Sequence, residues 1–458
     1  MNSQSKFDEL FRKHPHPVKS FYAREHLTRR HFFHLAGAGV TASWLAARLP
    51  ATPVIDSTPV TTLNKARNVI FILLAGAPSH TDTFDLKVLN GTTPESFAPE
   101  TANGILFPTG LLPKLAAAIP DFAIVRSMQA WALVHSLAQT WTQIGRNPAG
   151  VLGNVSPNIG SVVAIEKQAE RTPSQVFPTF LALNSAGAAG PGYFAAEYAP
   201  FKVTPTTSGL KNTTNADGET RFNTRWDFLH HLDDPLRATS NFSDFDEFYT
   251  AAKGMMYNPA VTNAFKYTAA DSQRYGSTSF GNACLLAKQV LGANQGTRYI
   301  EITLGGWDMH QNIYAANQLP LLGATLDNGL SALIADLKAS GDFDNTMIVM
   351  AGEFGRTVGP LTSGKGRDHY PQQFAFFAGA RVRGGRAIGS TDSTGANIVD
   401  TGWSRGRAIK PEDIEATIYS AMGINWTTIR RDDPLGRGFY YVPNSDQDVY
   451  GPIVELWQ

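Results

Sequence analysis

The chain has 458 residues, with 39 Lys+Arg against 39 Asp+Glu, and this balance excludes a general binder of nucleic acid or of membrane surfaces, which needs a basic surplus. Its one cysteine, Cys284, excludes an intramolecular disulfide and a cysteine-built zinc site. A hydrophobic share of 43% with 17% charged residues is that of a globular protein with a sizeable core.

Residues 1–50 come first. Leu27-Thr28-Arg29-Arg30-His31-Phe32-Phe33 is followed by a mild, Gly- and Ala-rich apolar stretch from Leu35 to Ala47. That stretch is too short for a spanning helix, which needs about 20 apolar residues. Paired arginines, an aromatic pair and a small-residue apolar region in this order predict a twin-arginine export signal, against the blander reading of a basic amphipathic helix. The expected destination is the periplasm or the medium, reached through the twin-arginine translocase. A Pro/Thr-rich linker at 51–65 follows, and the domain proper is expected over 66–458.

The domain opens with Asn68 to Leu74, a continuous apolar run that reaches Gly76, as a strand buried on both faces does. Similar runs recur at 122–128, 177–183, 298–304, 346–351 and 374–378. Helical patterns separate several of them; the clearest lies over 321–338 and stops at Gly341. Strands alternating with helices predict an α/β fold with a mostly parallel central sheet flanked by helices. The stretch 204–270 breaks the rhythm. Its first part is rich in Thr, Asn and Gly and its second is polar with interleaved aromatics, so an insertion or cap is expected there. Cys284 stands in an apolar helical run, where a buried inert thiol is the expected state.

In such sheets ligands bind beyond the carboxyl ends of the strands. The polar clusters gather there: His80 and Asp82 after the first run, His135 and Ser136 after the second, and Asp308 and His310 after the fourth. Glu353 and Arg356 follow the fifth run, and Arg367, Asp368 and His369 precede the last. Taken singly, each is a turn pair, a helix cap or a structural ion pair. Together they place imidazoles and carboxylates at successive strand ends, a donor mixture that suits Zn, Mn, Fe or, with more oxygen, Ca. Arg356 and Arg367 are candidates to fork onto an anion.

At these motifs the sequence resembles a known group. The pieces are the twin-arginine start, Gly76-Ala-Pro-Ser-His-Thr-Asp-Thr-Phe-Asp85, Tyr275-Gly276 before Phe280-Gly281, Gly305-Gly-Trp-Asp-Met-His310, Gly352-Glu-Phe-Gly-Arg-Thr357, and Gly366-Arg-Asp-His-Tyr-Pro371 followed by Val382-Arg-Gly-Gly385. Together they look like the domain-of-unknown-function 1501 family, a bacterial secreted group placed in the alkaline phosphatase and sulfatase superfamily. The resemblance implies an alkaline-phosphatase-like fold, and an ester hydrolase with one or two metals and a nucleophile at a helix N-terminus.

Carried over by position, the stretch from His135 to Gly145-Arg146 resembles the sulfatase nucleophile motif. His135 then occupies the nucleophile position, as phosphoryl acceptor, metal ligand or acid/base, with Ser136 next to it and Ser127 in reserve. Asp308 and His310 resemble a metal-binding pair, Glu353 and Phe354 lie where the superfamily has Asp-His, and His369 where it has a late metal-binding His. Two departures stand out: Gly76 and Ala77 replace the Asp that normally follows strand one, and Phe354 cannot bind a metal. The resemblance therefore implies a reduced one-metal site. The expected ligands are drawn from His80, Asp82, Asp308, His310, Glu353, Asp368 and His369, the ion is Zn, Mn or Ca, and His135, Ser136 and Arg356 are the catalytic candidates. The expected function is an exported metal-dependent hydrolase of phosphate or sulfate esters, with an anionic ester such as a sulfated or phosphorylated glycan as substrate and no nucleic acid. The alternative is a non-catalytic exported protein that binds anionic glycans or a cell-surface partner.

Overall fold

The computed structural model describes residues 55–233 and 249–458. The twin-arginine segment lies outside the described residues. So does the middle of the stretch expected to form a cap.

Eight strands form one sheet. They are β1 (Asn68–Leu73), β2 (Phe122–Gln129), β3 (Phe180–Leu183), β4 (Phe201–Val203), β5 (Tyr299–Thr303), β6 (Thr346–Ala351), β7 (Gln372–Gly379) and β8 (Arg386–Ile388). Their order across the sheet is β8-β2-β7-β6-β1-β5-β3-β4. β1 pairs in parallel with β5 and β6, β5 with β3, β3 with β4, and β2 with β8. Only β7 runs against its neighbours, pairing antiparallel with β2 and β6. The sheet is thus mostly parallel, as expected for this α/β class.

Side chains of a strand alternate between the two faces, and here both faces are covered. Ile70, Ile72, Ile348, Met350, Phe374 and Phe376 point into one core. Val69, Phe71, Val349, Ala375 and Phe377 point into the other. This double burial explains why the central strands read as unbroken apolar runs.

The longer helices among the described residues are α1 (His135–Ile144), α2 (Ile159–Lys167), α3 (Glu219–Asp233), α4 (Ser279–Gly292), α5 (Leu319–Ser340) and α6 (Pro411–Ala421). α4 and α5 cover the first face through Leu286, Val290, Leu326, Leu330 and Leu333. α2 and α6 cover the second through Val162, Val163, Ile414 and Ile418. Cys284 is fully buried in α4, and burial pushes its thiol up, out of reach of thiolate chemistry at neutral pH. Within the stretch 204–270, α3 keeps Phe228, Leu229 and Leu232 exposed, whereas the helix Pro259–Phe265 sends Val261 and Phe265 into the core. No helix among the described residues is long and apolar enough to cross a membrane.

Candidate metal centre

The parallel strands end at one edge of the sheet, and the loops beyond β1, β2, β5 and β6 meet there. β2 leads through Ala130 to Val134 into α1, whose first residue is His135. β5 leads to Asp308 and His310, and β6 to Glu353 and Arg356. The antiparallel β7 starts at this edge and brings Asp368 and His369 from its own N-terminal side. A short pairing joins the last two groups, with Arg356 opposite His369.

Four side chains converge. Single ligand atoms of His135, Asp308, His310 and His369 all lie within 4.8 Å of one another. Asp308 Oδ1 stands 3.1 Å from His135 Nε2, 2.9 Å from His310 Nε2 and 3.8 Å from His369 Nε2. With Asp308 47% and His310 41% exposed at the side chain, a ligand from solvent can reach the cluster.

Each imidazole presents Nε2 because its Nδ1 is occupied. His135 Nδ1 donates to Glu353 Oε1 at 2.7 Å, His310 Nδ1 to Asp368 Oδ1 at 2.8 Å and His369 Nδ1 to the Leu133 carbonyl at 2.7 Å. A carbonyl and ionised carboxylates accept only, so in neutral rings these bonds fix the tautomer and leave Nε2 as a bare lone pair. Three imidazole nitrogens and a carboxylate oxygen then face one point, an arrangement that can hold a metal ion. Arg356 fixes Nε2 of His310 as an acceptor, since its Nη1 lies 3.3 Å away and can only donate.

Phe354 holds two of the rings. Its ring centroid is 4.7 Å from that of His135 and 4.6 Å from that of His369. The position that departs from a ligand thus serves as a packing wall for two others. Gly76, the other departure, has a backbone reason. A Cβ there would lie 2.6 Å from the Asp308 nitrogen, at a φ of +107° that side-chain-bearing residues rarely adopt. An aspartate cannot occupy this position while the Asp308 loop passes so closely. Gly76 instead donates its N–H to Glu353 Oε1 at 2.8 Å.

Electrostatics favour an anionic Asp308. Partial burial pushes the Asp308 carboxyl up, but the Arg356 hydrogen bond and charge, with His135 and His310, together hold it below the usual carboxylate range. Burial lowers His369, with smaller lowering by Arg356, His135 and His310, against the opposing hydrogen bond to the Leu133 carbonyl.

The remaining expected site residues lie elsewhere or act on the cluster from behind. Asp82 sits outside it, 1% exposed at the side chain, and accepts from Arg367 Nε at 2.6 Å, Ser79 Oγ at 2.6 Å and Tyr314 OH at 2.8 Å. His80 is fully buried with Nε2 2.9 Å from the Gly395 carbonyl, and burial lowers its pKa. Glu353 and Asp368 touch the imidazoles of His135 and His310 at Nδ1 rather than the convergence point. Ser136 is exposed on the first turn of α1, and Ser127 Oγ donates to the Thr401 carbonyl at 2.7 Å.

The two arginines are engaged by the chain. Arg356, 1% exposed, donates to the Ala77, Gly76 and Arg367 carbonyls and to Asp308, besides facing His310. Arg367 donates to Asp82, Tyr314 and the Thr357 and Gly359 carbonyls. Neither leaves a fork free for an anion. Gly145-Arg146 is likewise structural, with the guanidinium donating to the Tyr441 carbonyl at 2.9 Å.

Sequence reasoning did not single out Gln139 or the Leu133 carbonyl. Gln139 Nε2 donates to Glu353 Oε1 at 2.9 Å. It lies four residues after His135 on α1, and that same-face spacing was a readable signal. A backbone carbonyl leaves none.

The sequence model of a family described as "Protein of unknown function (DUF1501)" matches residues 66–439. No curated protein matches the chain. Solved structures resemble the chain at low identity. A lipoteichoic acid synthase from Listeria monocytogenes is 12% identical with a TM-score of 0.37, over 81% of this chain and 76% of that one. A sulfatase from Pseudoalteromonas sp. is 11% identical at 0.38, over 78% and 68%. An alkaline phosphatase from the Antarctic bacterium TAB5 is 14% identical at 0.35, over 70% and 94%. Likenesses this distant carry no chemistry across.

Proposed function

From the premise that this chain belongs to the DUF1501 family, which its description assigns no function, we propose that it is an exported, metal-dependent hydrolase of anionic esters, phosphate or sulfate. One observation carries the proposal: three imidazole Nε2 atoms and the Asp308 carboxylate converge while every ligating ring is held at Nδ1 by an acceptor. Oriented rings with a held second nitrogen are what metal ligands need and what free surface histidines lack.

His135, His310, His369 and Asp308 would hold the ion, which reassigns His135 from nucleophile to ligand. Three nitrogens and one carboxylate suit Zn or Mn better than Ca, which takes oxygen. A divalent cation supplies Lewis acidity towards an ester oxygen and towards water. Glu353 keeps the His135 proton on Nδ1, and Asp368 does so for His310. Arg356 keeps Asp308 anionic and fixes its carboxylate by a 2.6 Å bond. Export as an already folded chain through the twin-arginine pathway suits a protein that takes up its metal before it leaves the cytoplasm.

Elemental analysis of purified protein, after loading with Zn or Mn, should give close to one ion per chain, and 4-nitrophenyl phosphate or sulfate should be hydrolysed only by the loaded form. A loaded sample without bound metal would overturn the proposal. The second reading, a non-catalytic exported binder of anionic glycans, draws no support from Arg356 or Arg367, whose guanidinium groups are engaged internally. That reading expects stoichiometric metal and anion binding without turnover.

A further inference from the structure

The loop between β2 and α1 buries its small residues and exposes its large ones. Ala130 and Ala132 face inward and pack with Ala77, Ala138 and Phe354. Trp131, Leu133 and Val134 face solvent, 48%, 40% and 59% exposed. A single exposed apolar side chain is ordinary, but neighbouring ones on one surface mark a place where something binds.

The loop that carries them is held at several points. The Ala130 N–H donates to the Pro371 carbonyl at 2.9 Å, and the Val134 carbonyl accepts the Ala138 N–H at 2.9 Å. The indole N–H of Trp131 donates to Glu412 Oε2 at 3.0 Å, and that of Trp141 to Oε1 of the same buried carboxylate at 2.9 Å. Trp131 also stacks beside Trp141, with ring centroids 6.2 Å apart. Its exposed part is therefore presented by a fixed ring whose one polar group is already used.

This surface borders the metal cluster directly. Val134 is the residue before His135, and the Leu133 carbonyl accepts from His369 Nδ1 at 2.7 Å. An ester whose anionic group lies at the cluster can lay the rest of itself across these three side chains. Trp131, Leu133 and Val134 offer no free hydrogen-bonding side-chain group there. A polyol would give up hydration over them with no partner in exchange, whereas a hydrocarbon gains by leaving water.

We propose that Trp131, Leu133 and Val134 form the surface that receives the alcohol part of the ester, and that this alcohol is a hydrocarbon chain or ring. The inference rests on the metal-site reading and adds the substrate class, which departs from the sulfated or phosphorylated glycan that the resemblance implies. The three side chains then set specificity, while Glu412 holds Trp131 in place from below.

The test uses metal-loaded protein and calorimetric titration with three probes: methylphosphonate, hexylphosphonate, and the phosphonate analogue of glucose 6-phosphate. Hexylphosphonate should bind about 10-fold or more tighter than methylphosphonate, the worth of a few partly covered methylene groups. Trp131→Ser and Val134→Thr should each cut that ratio at least about 3-fold. Val134 is the N-cap of α1 and makes no side-chain cap, so threonine there suits the helix start and keeps the fold if the Trp131 variant does not. Equal binding of methyl- and hexylphosphonate, a ratio unmoved by the variants, or a sugar phosphonate that binds tighter than hexylphosphonate overturns the proposal while the metal reading stands. If none of the three probes binds the loaded protein, the metal-site reading fails and this proposal falls with it.

Discussion

Glu353 Oε1 accepts from His135 Nδ1 at 2.7 Å, and the same oxygen takes the Gly76 N–H and the Gln139 amide. One buried carboxylate therefore ties the end of β1, the start of α1 and the end of β6 to the orientation of a single imidazole. Replacing its charge while keeping its shape isolates that role. Glu353→Gln should lower metal affinity about 10- to 100-fold, the usual effect of losing a carboxylate behind a ligating histidine. A competition titration against a chelating indicator measures it. Unchanged affinity would remove Glu353 from the site.

Gly76 is the second place where one atom decides the geometry. An added methyl group would meet the Asp308 and Trp307 backbone nitrogens at 2.6 and 2.8 Å. The Asp308 loop would have to shift relative to His135 and His369. Gly76→Ala should therefore lose more than about 1 kcal/mol of stability, since the backbone conformation also disfavours it. It should take up less than one equivalent of metal, as elemental analysis would report. A variant that unfolds earlier on heating yet binds metal as wild type would show that the close approach matters for folding alone.

The sheet was legible in the sequence because its central strands are buried on both faces. Asn68 to Leu73 and Thr346 to Ala351 are wholly buried and, after Asn68 and Thr346, wholly apolar. The edge strands Phe201–Val203 and Arg386–Ile388 are three residues each, too short to show a period. The reversed direction of β7 left no mark, because an apolar run reads the same either way. At the site, strand ends pointed to the right loops. They could not say which carboxylate faces an imidazole and which faces an arginine. Asp82 and Asp308 look alike in sequence, but Asp82 is enclosed by Arg367, Ser79 and Tyr314. Nor could they show that the donors of Arg356 point inward to carbonyls.

The Asp82–Arg367 pair itself joins the loops that carry the cluster. Arg367 reaches Asp82 beyond β1, Tyr314 beyond β5 and the Thr357 carbonyl beyond β6, and its own N–H donates to the Met309 carbonyl. Both side chains are nearly inaccessible, 3% and 1% exposed. Removing one partner of such a pair leaves a buried charge without its counterpart, which costs about 3–5 kcal/mol. Asp82→Asn should show that loss in urea unfolding. The double variant Asp82→Asn/Arg367→Met should cost clearly less than the two single changes added together. Strict additivity would mean that the two residues act independently.

Glu301 gives a pH dependence with a definite sign. It lies in the middle of β5, 1% exposed, with Asn158 Nδ2 donating to it at 3.0 Å. Burial pushes its carboxyl up to about 7, against the smaller opposing effects of Asn158 and Lys202. In the unfolded chain a glutamate titrates near 4.3. The folded state therefore holds the proton more tightly. Its contribution to stability is fully present below about pH 4.3 and is lost as pH rises through 7, because the unfolded chain then releases a proton that the fold retains. A difference of about 2.7 pK units corresponds to about 4 kcal/mol over that full range. Glu301→Gln keeps an acceptor for Asn158 and removes the titration. Relative to wild type, the variant should gain about 3 kcal/mol in unfolding free energy between pH 4.5 and pH 8, with every other titrating group common to both proteins. Denaturant unfolding of the two proteins at both pH values measures the difference directly. Parallel pH profiles would mean that Glu301 is ionised in the fold and that its charge is met by a partner other than Asn158.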